Sequence, residues 1–550
     1  MISADALLDA LAAWKSRYGP PEDGELPRLL AAAAAARFSD PAELIRLHET
    51  LLFLRAWPRT PHVARLADAI LFSMARRVAE LKSAGADLSP FEAPEVSGVA
   101  GTSFTAVFSY EVARRLAARY PGVAIDWEAY DEPDRLGPVA RRFVPLLEEE
   151  WPVEAHVPFR EWMGAGRPRG RSELRTLLDC IGRLRLTDRD RADLYESLQL
   201  PLQWKLGDVA CNRSRLRLKA RRLFCHTGPL LRRRDVSLPA ALEEPPLPVA
   251  RVPAREVHRL LDIILDTSAM RYRELYGFTH PDAARVFRAD AGRGVEICFF
   301  GVPPAWRLPL RAYHAGMFFK NGVPAGYVEV LSLFERAEVG FNLYYTFREG
   351  ESAWLYARLL RLFRQTLGVN TFSVDPYQIG HENEEAIDSG AFWFYRKLGF
   401  RPVRPEVLRL AEREERRLER SPGLRSSRRT LEKLADGYIL FEGPGATPGA
   451  WDRFHIRNLG LAVEREMARR HGGNPERMAR WAAARTSRAL GIAVPSPLAC
   501  VLSLIPDLPR WSPAERAALA AIVKAKQGPD EERYLRLMQR HTRLRAAFLK

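Results

Sequence analysis

The residue types that could move protons or hold an anion gather between positions 314 and 400. Tyr395 sits in Phe392-Trp393-Phe394-Tyr395-Arg396-Lys397-Leu398-Gly399-Phe400, a run of aromatics ending in two cations and a glycine. Glu329 and Glu338 stand in strand-like runs, with His314 before them and His381 after. Arg348, Glu349, Gly350, Glu351, Ser352 and Ala353 form a loop that leads into a helical pattern. A tyrosine hydroxyl can give a proton and a carboxylate or imidazole can take one. Free amides at a helix start hold phosphate without side-chain charge. Each also has a plain structural use. Aromatics at helical spacing fill a core, strand carboxylates face water, and a single histidine is a satisfied polar group.

The elements that must position these groups follow from local pattern. Arg396 and Lys397 suit the last turn of a helix, Gly399 its left-handed cap, and Pro402 forbids continuation. One helix is therefore expected from about 383 to 398, followed by a strand. Upstream, strands are expected at 295–302, 312–319, 326–334 and 338–347, with Lys320-Asn321-Gly322 as a hairpin signal and Gly340 as a bulge. Leu355, Leu359, Leu362 and Phe363 share one face of a helix. A strand from 369 to 374 comes next, ended by Pro376. The strand–helix–strand order predicts a parallel pair that splays into a cleft. The fold class is α/β with a mixed sheet.

The segment from Phe394 to Phe400 resembles the last helix and following strand of the GNAT acetyltransferase superfamily. The resemblance spans residues 255–445, a GNAT-like domain between helical regions at 1–250 and 446–550. It implies an acyl-CoA-dependent N-acyltransferase with acetyl-CoA or another acyl-CoA as co-substrate, no metal, and an amine acceptor whose class it does not define. By the same resemblance Tyr395 protonates the departing sulfur and a carboxylate, Glu329 or Glu338, helps deprotonate the amine. Arg348, Gly350, Ser352 and Ala353 correspond to the pyrophosphate loop, and Asp388 to the position seven before the tyrosine. The loop departs from the family pattern: Phe347 or Glu351 falls where a basic residue or a glycine belongs. A non-catalytic GNAT-fold binding or scaffolding protein is the alternative.

The whole chain bounds these readings. Its 550 residues exceed what one core usually supports, so about two to four domains are expected. Five scattered cysteines without a CxxC pair argue for a reducing compartment. Acids where a leader would carry bases, and no long uninterrupted apolar run, make a cytoplasmic location and no membrane partner the expectation. The net charge of +16 follows a bias toward Arg and Ala more than it signals an acidic partner. The run Arg213, Arg215, Arg217, Lys219, Arg221, then Arg232-Arg233-Arg234, lacks interleaved aromatics and reads as a solvated face, so nucleic acid is not an expected partner. Cys211, Cys225 and His226 lack a second ligand pair for a metal. Prolines at 245, 246, 248 and 253 mark a linker at 242–253.

Overall fold

In the computed structural model residues 3–18, 24–144, 159–207, 211–271, 275–421 and 423–549 are described. The N-terminal part carries a three-stranded antiparallel sheet of β1 (Ser103–Val107), β2 (Val123–Ile125) and β3 (Pro201–Lys205), in the order β1-β3-β2. Helical spacing dominates the region's sequence, and these short strands went unread. Phe104, Leu202 and Trp204 anchor a separate core with the helices Tyr110–Arg119 and Glu173–Arg183. The earlier helices behave differently. Those from Ala4–Ala13 to Met74–Ser83 share one continuous core with the large sheet and the C-terminal helices.

The large sheet is mixed and nine-stranded. Its strands are β4 (Val249–Arg251), β5 (Val286–Gly292), β6 (Val295–Gly301), β7 (Ala312–Lys320), β8 (Val323–Leu333), β9 (Arg336–Leu343), β10 (Thr371–Val374), β11 (Arg401–Pro402) and β12 (Ile439–Glu442). Their spatial order is β11-β12-β10-β9-β8-β7-β6-β5-β4. β7 is buried at every residue, as a central strand covered on both faces must be. At the Lys320-Asn321-Gly322 hairpin both Asn321 and Gly322 are left-handed, and a Cβ on Gly322 would meet the Leu218 carbonyl at 2.2 Å. The segment expected as a linker contains β4, paired antiparallel with β5, and begins in the end of the helix Leu238–Glu243. Its prolines flank an edge strand, where a missing N–H does no harm.

β9 and β10 are parallel, joined by the helix Ser352–Leu367, whose Leu355, Leu359, Leu362 and Phe363 are buried and which stops at left-handed Gly368. The two strands share only the pairs Thr371–Arg336, Phe372–Ala337 and Ser373–Glu338. β9 runs on to Leu343, whereas β10 turns at Asp375 into the short helix Pro376–Ile379. Gly340 is no bulge: it sits in continuous register opposite Glu329. The helix expected from 383 to 398 is two, Glu384–Asp388 and Ala391–Arg396, broken where Gly390 adopts φ +64°. Among the described residues no helix is long and apolar enough to cross a membrane.

Candidate functional site

Where β10 leaves β9, the side chain of Gln378 enters the gap. Its Oε1 accepts the Phe341 backbone N–H at 3.3 Å and the Tyr395 hydroxyl at 3.4 Å. Pro376 starts the short helix that carries Gln378, with Asp375 accepting the Tyr377 N–H as its cap. A Cβ at position 340 would lie 2.8 Å from Gln378 Nε2, so Gly340 makes the room that Gln378 fills. Tyr395 is 4% exposed, its ring wedged among Tyr356, Phe394 and Phe400. Burial raises its hydroxyl well above the usual tyrosine range, which keeps it a proton donor.

The two carboxylates lie on one face beside this gap. Glu329 is opposite Gly340 in the β8–β9 ladder, and Glu338 precedes Gly340 by two, so all three point the same way. Glu329 accepts a short hydrogen bond from the Tyr313 hydroxyl, and burial raises its pKa against that bond. No cation is among the groups that shift it. Glu338 is also raised by burial, but Arg311 at 3.4 Å and Arg336 pull the other way. Both are half-buried. His314 points to the opposite face of the sheet and is lowered to about 4 by burial. His381 is exposed.

The loop before the helix Ser352–Leu367 is closed by the N-terminal helices. A Cβ on Gly350 would meet Trp57 Cζ2 at 2.7 Å. Glu351 is 1% exposed, accepts the Leu231 N–H at 3.1 Å and is paired through two nitrogens with Arg293. Ala353 is buried, Ser352 half-buried, and Arg348 turns outward to Glu385. Asp388 is exposed on a different helix from Tyr395. The fold therefore brings Tyr395 and the face bearing Glu329 and Glu338 to one gap, and leaves Arg348 and Asp388 outside it. Gln378 was missed. Pro376 signals the end of a strand, but nothing in the sequence says that the next side chain but one folds back into the ladder.

A second constellation was missed too. His48 Nδ1 lies 2.8 Å from Glu49 Oε1, and His48 Nε2 lies 3.0 Å from Ser214 Oγ, the connectivity of a nucleophile, base and orienting acid. His48 and Ser214 are fully buried. Ser214 Oγ also accepts the Ala100 N–H at 3.1 Å, and Glu49 binds Arg213 at 2.7 Å and Thr346. Burial works against the Glu49 anion, but Arg213 and His48 outweigh it and hold the carboxyl well below its usual range. Burial depresses His48. Arg213, read from the sequence as part of a solvated face, is a buried counter-ion.

Comparison of the chain with protein-family models, with curated proteins and with solved structures finds no match in any of the three.

Proposed function

We propose that the gap between β9 and β10 transfers an acyl group from an acyl-CoA to an amine, in the manner of the GNAT superfamily. The observation that carries this reading is the convergence of two donors, the Phe341 N–H and the Tyr395 hydroxyl, on one acceptor atom. Gln378 Oε1 occupies the place that a thioester oxygen would take. In the reaction the amine nitrogen attacks the thioester carbon, while Phe341 N–H steadies the charge that grows on oxygen. Glu329 takes the amine proton, the C–S bond breaks, and Tyr395 returns a proton to sulfur. Glu329 suits the base role better than Glu338, because no guanidinium holds its charge.

The phosphate end fits less well. Trp57 lies against Gly350, and the Glu351–Arg293 pair occupies the loop that phosphates would need. That closure favours a second reading, in which the fold binds or scaffolds without catalysis. Acetyl-CoA tests both. At about 100 times its dissociation constant a ligand stabilises by about 2.7 kcal/mol, which is visible as a thermal shift. Gln378→Ala removes the internal competitor and Glu351→Gly the carboxylate, and each should enlarge that shift. No shift and no amine acylation in wild type or in either variant gives the case to scaffolding.

A further inference from the structure

A groove of about 790 Å³ lies at the far corner of the large sheet, between the β4–β5 edge and the segment 220–225. Its lining residues include five arginines, Arg221, Arg222, Arg251, Arg288 and Arg293, against two acids, Asp290 and Glu296. Three of the five are already engaged. Arg293 is held by Glu351, Arg288 meets Glu296 at 3.3 Å, and Arg251 donates to the Ala284 carbonyl. Arg221 and Arg222 are exposed, and neither has a hydrogen bond or ion pair among the described residues. The groove thus carries net positive charge with two uncommitted forks, beside an apolar wall of Phe224, Ala250 and Val252. Gly292 also lines the groove, and a Cβ there would meet nothing within 4 Å.

We propose that this groove binds a phosphorylated small molecule, with Arg221 and Arg222 taking its phosphate oxygens. Guanidinium forks match phosphate bidentately, which explains two adjacent arginines better than generic solubility does. The volume is that of small-ligand sites. A nucleic-acid track would need an unbroken line of free cations, and the basic run is interrupted, although Lys219, Arg232 and Arg234 are exposed. Arg213 is buried on Glu49, Arg217 is paired with Asp68 at 2.5 Å, and Arg233 donates to the Lys397 carbonyl. The proposal does not rest on acyl transfer: the groove shares no residue with the β9–β10 gap and meets the loop 348–353 only through the Arg293–Glu351 pair.

The full-length chain is titrated calorimetrically with inorganic pyrophosphate, with adenosine 5′-diphosphate and with a short single-stranded oligonucleotide. Saturable binding of pyrophosphate or the diphosphate is expected. Arg221→Glu combined with Arg222→Glu should weaken it at least about 10-fold, the loss of one charge-assisted bond or more, with an unchanged melting temperature because both side chains are exposed. Arg413→Glu with Arg420→Glu makes the same charge change on exposed positions of the helix Pro405–Arg420 and should leave binding intact. Equal weakening by both pairs, no saturable binding of either phosphate, or oligonucleotide binding tighter than both with a steep salt dependence overturns the proposal.

Discussion

The Ser214–His48–Glu49 network and the Gln378–Tyr395 gap contain the same kinds of residue in opposite settings. In the first, every group is buried and committed: Ser214 to an amide and an imidazole, Glu49 to Arg213, His48 and Thr346. In the second, a glutamine satisfies two donors through bonds of 3.3 and 3.4 Å, beside half-exposed carboxylates. The triad-like geometry ties the helix Pro41–Ala56 to the segment around Ser214, and through Thr346 to the chain leaving β9. It has no room for a substrate, so its hydrogen bonds serve cohesion. Chemistry needs an acceptor that can be displaced, and of these two places the gap offers one in Gln378 Oε1.

The comparison breaks first at Glu49. Glu49→Gln leaves Arg213 charged and buried without its counter-ion, a loss of about 3–5 kcal/mol. Chemical denaturation should show it as a lower midpoint, while the surviving folded fraction keeps full activity per molecule if the gap carries the proposed acyl transfer. Activity lost without a stability loss would make the sealed network catalytic.

Tyr395→Phe should do the reverse. The ring contacts with Tyr356 and Phe400 remain, so stability changes by no more than the net worth of one hydrogen bond, about 0.5–1.5 kcal/mol. Turnover should fall by about 100-fold, or about 2.7 kcal/mol in the barrier, if the hydroxyl protonates the leaving sulfur. Steady-state kinetics beside a melting curve separates the two readings of this tyrosine.

How much of this was legible depends on range. The capping and period signals are local, and they were read well: Leu355, Leu359, Leu362 and Phe363 are buried along one helix, and Gly399 follows its helix with a positive φ. The parallel crossover from β9 to β10 also follows from element order alone. Gln378 in the gap, Trp57 on Gly350 and Arg213 on Glu49 are long-range pairings, and a single sequence carries no periodic trace of them. The edge strand β4 was hidden by prolines that argue for a linker yet are tolerated at an edge. Gly340 signalled a bulge because glycine in a strand marks either an extra residue or a close approach, and here it is the approach.

Glu329 offers a sharper test because stability and activity should move in opposite directions with pH. Burial raises its folded pKa above the ordinary 4.5. A raised group contributes stability that is complete below the unfolded pKa and is lost as pH rises through the folded one. Relative to Glu329→Gln, the wild type should therefore lose stability as pH climbs above about 4.5. Over the same window the carboxylate ionises, so kcat/KM should rise if it is the base. The Gln variant should lose that limb and retain the low plateau. Parallel Glu338→Gln measurements should leave the limb in place, because that carboxylate is paired with Arg311.

The smallest expected effect concerns Gly340→Ala. The added methyl would sit 2.8 Å from Gln378 Nε2 and 3.7 Å from the Glu329 Cβ. The Gly340 backbone needs no left-handed conformation, so the substitution itself introduces no strain there. The contact under 3 Å is with the far end of a flexible side chain, which can swing away. Gln378 should leave the gap, freeing the Phe341 N–H and the Tyr395 hydroxyl at a cost of about 1 kcal/mol in folding stability. If the gap receives a thioester, those freed donors should bind acetyl-CoA up to about fivefold more tightly than in wild type, the return of that same 1 kcal/mol. If Gln378 is a structural plug, the variant should lose the stability and gain no affinity. Measuring both quantities on one protein preparation distinguishes a site that is masked from one that is filled for good.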